Sequence, residues 1–68
     1  MELENDLRRC RFEAGDMTQE ALATAIGVSR QTIHSIEKRK YVPSTVLALK
    51  IARCFKKPVE EIFFLVES

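Results

Sequence analysis

Residues 19–38 read QEALATAIGVSRQTIHSIEK, and four of them, Ala23, Gly27, Ile33 and Ile36, decide how the chain folds around them. Two helices that cross closely need a minimal side chain at their contact, which Ala23 supplies. The tight turn between them needs positive φ, which Gly27 adopts at little cost. Leu22, Ile26 and Val28 fill the remaining inward positions. At about 100° per residue, Ile33 and Ile36 define an inward stripe on the second helix. Gln31, His34, Ser35 and Lys38 then point outward, with Arg30, Thr32 and Glu37 on the flanks. The pattern is that of a helix-turn-helix, core 19–38, whose second helix shows a polar and basic face.

Outward from that core, the periodicity predicts five helices. The first runs from Asn5 to Ala14, with Leu7, Cys10 and Ala14 at helical spacing, and Gly15 and Asp16 break it. Thr18 is placed to N-cap a helix from Gln19 to Ile26, and Ser29 one from Arg30 to Lys38. Arg39 to Pro43 reads as a loop. Ser44 caps a fourth helix in which Leu47, Ile51 and Phe55, with Val46 or Ala52 beside them, form one apolar stripe. Pro58 at a first helical position, with Glu60 and Glu61 in the first turn, opens a short fifth helix with Val59, Ile62 and Phe63 inward. The expected fold is all-α, one compact five-helix domain spanning residues 1–68.

The chain end carries a further expectation. Phe63, Phe64, Leu65 and Val66 form a run that a single helix face cannot bury. An exposed apolar patch on a small domain marks an interface, so these four residues, within segment 59–68, are assigned to a homodimer contact. Helix and strand versions both stay open. In the strand version Phe64–Glu67 leaves the helix and pairs with Met1–Leu3.

At 68 residues the chain is near the size at which an apolar core alone supplies about 3 to 5 kcal/mol, so a further aid to stability is expected. Cys10 and Cys54 lie 44 positions apart in helical segments with no secretion signal ahead of them, which favours a reduced, cytoplasmic chain over a disulfide. One His and two scattered Cys lack the paired ligand spacing of a zinc site, and no cofactor box is present. No apolar run approaches the roughly 18 residues of a membrane span. Self-association is the remaining aid.

The net charge of +1 divides unevenly, with −3 over residues 1–28, +7 over 29–57 and −3 over 58–68. Such a chain can turn one cationic face to a polyanion. The plainer reading is a set of solvated helix faces, with Lys50, Arg53, Lys56 and Lys57 favouring the C-terminal end of a helix dipole. Catalysis is not expected. Ser29, Ser35 and Ser44 have only His34 nearby in sequence and no carboxylate to orient it, and the adjacent Glu60 and Glu61 diverge around a helix.

The segments MTQEALA (17–23), GVSRQTIHSIEKRKYVPS (27–44), LALKIARCF (47–55) and PVEEIF (58–63) together make a specific signature. Through them the chain resembles the Cro/CI-type helix-turn-helix regulators, the xenobiotic response element (XRE) family of phage and prokaryotes, and is closest to its short single-domain members. The resemblance implies a lambda-repressor-like domain that binds double-stranded DNA as a homodimer on a roughly palindromic operator and usually represses transcription.

Carried over by position, it implies that Gln19, with Thr18 beside it, meets a phosphate, and that Arg30, Gln31, Thr32 and Ser35 face base edges. The residue types suit that work: Arg donates twice to guanine, Gln bonds bidentately to adenine, and a Thr methyl touches a thymine methyl. Arg39, Lys40 and Tyr41 would grip the DNA backbone, Tyr41 alternatively packing over the core. His34 and Lys38 share the outward face, as a base contact and a phosphate contact; the plainer readings are a solvated imidazole and a dipole partner. Arg39 stands where many members carry Gly or Asn, and the Gly15-Asp16 linker looks one residue longer than usual. Arg11 is assigned to a structural ion pair with Glu37. The alternative function is a protein-interaction module, an antitoxin or adaptor with secondary DNA binding, in which Phe64 and Leu65 face another chain; the basic outward face of Arg30, Gln31 and Lys38 favours DNA.

Overall fold

Three side-chain hydroxyls set the helix starts in the structure, a computed structural model that describes residues 1–67. Thr18, Ser29 and Ser44 accept hydrogen bonds from the backbone N–H groups of Ala21, Thr32 and Leu47 at 3.0, 3.2 and 3.1 Å. Each satisfies one of the donors that a helix start leaves without a partner. In chain order the elements are β1 (Glu2–Asn5), α1 (Leu7–Glu13), α2 (Gln19–Ile26), α3 (Arg30–Glu37), α4 (Thr45–Phe55), a 3-10 turn over Val59–Glu61, and β2 (Phe63–Val66).

Left-handed residues stop the helices. Gly27 closes α2 at φ 79°, and a Cβ there would meet no atom within 4 Å, so backbone conformation, not crowding, calls for glycine. After α3, Arg39 takes the same role at φ 62°, with its N–H bonded to Ile36 O and the Lys40 N–H to Ser35 O, each at 2.9 Å. A side chain in that region costs about 1 to 2 kcal/mol, the backbone consequence of having Arg in place of Gly or Asn.

Leu7 and Cys10 of α1, Leu22, Ala23 and Ile26 of α2, Ile33 and Ile36 of α3, and Leu47, Ile51 and Ala52 of α4 form one buried cluster with Ile62 and Phe63. Ala23 is 2% exposed, as a close crossing of α2 and α3 demands. Among the described residues, no helix is long and apolar enough to cross a membrane.

Several expectations need correction. The fold is not all-α with five helices: four α-helices are joined by a two-stranded antiparallel sheet of β1 and β2, and the fifth helix is a single 3-10 turn. An aromatic and β-branched run suits a pleated strand, and pairing the two termini satisfies backbone groups that a frayed helix end leaves open. The strand version of the chain end holds: the register joins Glu2 to Val66, Leu3 to Leu65, Glu4 to Phe64 and Asn5 to Phe63, so the pairing starts after Met1 and runs on to Asn5 and Phe63. Ala14 is exposed beyond the end of α1, and Tyr41 is 46% exposed in the α3–α4 loop instead of covering the core. Ser68, the last residue of the expected 59–68 contact, lies outside the described residues.

Asn5 belongs to β1, not to the first helix. Its Oδ1 accepts the Leu7 N–H at 3.2 Å, and its Nδ2 donates to the carbonyl of Ile36 at 3.0 Å, so one amide caps the start of α1 and the end of α3. Asn5→Ala should destabilise the domain by about 2 kcal/mol, because it strands the partly buried Leu7 N–H and removes one of the bonds to the Ile36 carbonyl, which keeps the Arg39 N–H. The check is urea unfolding, with a lower midpoint and unchanged slope as the expected reading.

Candidate nucleic-acid interface

Ile33 and Ile36 hold α3 against the core, at 0% and 1% exposure, which turns the opposite side of the helix to solvent. Arg30, Gln31 and Lys38 are exposed there, and Thr32, His34 and Ser35 are half-buried. The Thr32 hydroxyl lies 3.0 Å from the Ser29 hydroxyl, so part of its hydrogen-bonding capacity is spent at the start of the helix. Arg30 and Gln31 make no side-chain hydrogen bond among the described residues. Their donors are free for a ligand.

The far end of α3 is anchored by charge. Arg11 donates from Nε to Glu37 Oε2 at 2.6 Å and from Nη2 to Oε1 at 2.9 Å, a bidentate pair whose side chains are 14% and 9% exposed. Arg11 Nη1 also donates to the Met17 carbonyl at 2.8 Å. Gln19 Nε2 donates to Glu37 Oε1 at 3.1 Å. The network ties α1, the α1–α2 loop and the start of α2 to the end of α3. Hydrogen bonding to Glu37 pushes the Arg11 guanidinium above its ordinary value, so it stays charged. Gln19, expected on a phosphate, thus commits one amide N–H to the fold and keeps one.

Arg39 is likewise divided between two duties. Its Nη1 reaches back to Glu4 Oε1 on β1 at 3.2 Å, which draws part of its charge toward the sheet. Lys40 and Tyr41 stay exposed in the following loop. Burial pushes the Cys10 thiol up, which keeps it protonated and unreactive inside the core.

Between α1 and α3 the surface opens into a polar notch of about 310 Å³ lined by Arg8, Arg11, Gln19, His34, Glu37 and Lys38. It gathers three of the expected DNA-facing residues, Gln19, His34 and Lys38, with the expected ion pair. Arg30, Arg39 and Tyr41 lie outside it. Arg8 was not singled out in the sequence, although its spacing of three from Arg11 places both on one helix face.

A short helix capped by Ser29, packed across a glycine turn on Ala23 and presenting free basic and amide donors defines a helix-turn-helix domain of the DNA-binding kind. Residues 7–62 match the family described as Helix-turn-helix, and the chain belongs to this family, in its XRE-type branch. It is 43% identical over 66 residues to HTH-type transcriptional regulator YgzD of Bacillus subtilis, covering 97% of this chain and 98% of that one. It is 58% identical over 48 residues to an HTH-type transcriptional regulator of Methanocaldococcus jannaschii, covering 71% and 73% of the two chains. A third, from Methanothermobacter thermautotrophicus, is 48% identical over 63 residues, covering 91% and 90%.

Proposed function

We propose that this chain is a cytoplasmic transcriptional regulator that binds double-stranded DNA sequence-specifically, as a homodimer on a palindromic operator, and acts as a repressor. The carrying observation is the outward face of α3, where Arg30 and Gln31 are exposed with side-chain donors the fold does not use. A helix held this way reads base edges in the major groove, while Lys38, Lys40 and the free N–H of Gln19 meet phosphates. The names of the relatives agree with a regulatory role.

The test is selection of bound sequences from a random duplex pool, with enrichment of an inverted repeat as the expected result. On the selected operator, Gln31→Ala should cost about 1 to 3 kcal/mol and relax preference at one base pair, whereas Lys40→Ala should weaken all duplexes alike and reduce the salt slope by about one. Equal loss on every sequence for Gln31→Ala would remove it from the base-reading set.

The dimer contact is assigned to the terminal sheet. Leu65 is 63% exposed, Phe64 and Val66 are half-buried, and β2 has one edge without a partner strand among the described residues. Phe63, expected in the same contact, is 9% exposed inside the protomer core and is withdrawn from it. Phe64→Glu should give a monomer by light scattering with weakened operator binding, and a variant that stays dimeric would move the interface elsewhere. Wild-type protein that selects no duplex would favour the protein-interaction module, with Leu65 facing a different chain.

A further inference from the structure

We propose that the notch between α1 and α3 seats one backbone phosphate of the bound duplex, held by Arg8, Lys38 and His34. The proposal rests on the DNA-binding reading above and adds to it Arg8, a residue outside the helix-turn-helix.

Charge carries the first step. Of the groups lining the notch, Arg11 and Glu37 neutralise each other at 2.6 Å. Arg8 and Lys38 have no carboxylate within 4.0 Å among the described residues. The notch therefore holds two uncompensated cations against a neutral, hydrogen-bonded wall. Both Glu37 oxygens are already engaged within that wall, by Arg11 and Gln19. Gln19 contributes the amide N–H that Glu37 leaves free.

Position carries the second. Gln31, His34 and Lys38 follow one another at spacings of three and four, so they line one side of α3. A ligand in the notch therefore lies beside a base-reading residue. In a duplex, what runs beside the groove is the sugar-phosphate strand. Arg8 also borders a second hollow with Asp16, Met17 and Thr18 ahead of α2, so open space lies on both sides of it, with the Asp16 carboxylate beyond ion-pair distance. A planar guanidinium in open space suits bidentate contact with a phosphate.

The lining contains no apolar side chain, which rules against an apolar ligand. A free small anion would meet two solvated cations, an arrangement worth little by itself. A duplex brings its phosphate with many other contacts already made. In this assignment His34 serves a phosphate and not a base edge.

The experiment measures full-length protein on its selected operator and on an unrelated duplex across a salt series. Arg8→Gln should lower affinity by about tenfold on both and reduce the slope of log K against log salt by about one. Arg9→Gln serves as the control, because Arg9 borders a different hollow with Glu13 and Lys57 and should change neither. Circular dichroism melting establishes that both exposed-site variants fold. A single neutral methylphosphonate walked along the operator should then erase the Arg8→Gln deficit at one position per half-site. His34→Ala should weaken both duplexes alike, with the loss erased at that same methylphosphonate position. An unchanged salt slope for Arg8→Gln, or a deficit that persists at every methylphosphonate position, overturns the seat. A His34→Ala protein that loses affinity for the operator alone removes His34 from it. Failure of the DNA reading itself is separately visible, as a wild-type protein that binds neither duplex.

Discussion

Ile33→Ala is expected to unfold most of the protein at 37 °C. Ile33 is 0% exposed in the middle of α3, and its side chain is what holds the recognition helix on the core. Truncation loses the transfer free energy of the missing carbons and leaves a cavity, together about 3 to 4 kcal/mol. A domain of this size has about 3 to 5 kcal/mol from its core, so little remains. Far-UV circular dichroism with temperature is the measurement, and DNA binding should fall together with the helical signal. Gln31→Ala, two residues away on the exposed side, should stay within about 0.5 kcal/mol of wild type in stability while losing operator affinity. The pair separates the two faces of one helix. An Ile33→Ala protein that melts within about 1 kcal/mol of wild type would mean that α3 is not held by this residue.

Glu37→Met should cost about 3 kcal/mol, because it leaves the Arg11 guanidinium, 14% exposed, without its counter-charge. Arg11→Met should be similarly harmful through the stranded carboxylate and the lost bond to the Met17 carbonyl. The informative protein is the double variant. Replacing both partners by apolar side chains removes the uncompensated charge, so the double loss should fall short of the summed single losses by about 1 to 3 kcal/mol. Urea unfolding of the four proteins gives that coupling directly, and additive losses would reduce the pair to a solvated contact. The pair also bears on DNA binding. It joins α1 to the end of α3, so loosening it frees the recognition helix and the wall of the notch at once.

What could be read without the structure follows from interactions that close within a few residues. The caps by Thr18, Ser29 and Ser44 each reach three residues along the chain, and the left-handed Gly27 answers to the turn it makes. Helical periodicity alone marks Leu22, Ile26, Ile33, Ile36, Leu47 and Ile51 as core, and all are buried. Fixing the inward stripe also fixes the outward one, which is why Arg30, Gln31 and Lys38 were legible as the exposed side of α3.

Where periodicity was extended to the chain ends it misassigned them. Asn5 and Phe63 fit helical spacing, yet they sit opposite each other in a sheet whose strands come from the two termini. The apolar run Phe63–Val66 raised the strand version but could not decide it, because the free energy of the strand comes from a partner at the other end of the chain. The same holds for the amide of Asn5 on Ile36, 31 positions away, and for Arg39 on Glu4, 35 positions away. Arg11 and Glu37, 26 positions apart, were paired through family resemblance and not through spacing. Arg8 shows the limit most clearly: its helical face is plain in the sequence, but that face borders α3 only because of the angle at which α1 packs on the core. Sequence alone determined the elements built by hydrogen bonds and apolar stripes over short spans. Tertiary structure decided the sheet, the ion-pair geometry and the notch, since each depends on distant segments meeting at an angle that many side chains set together.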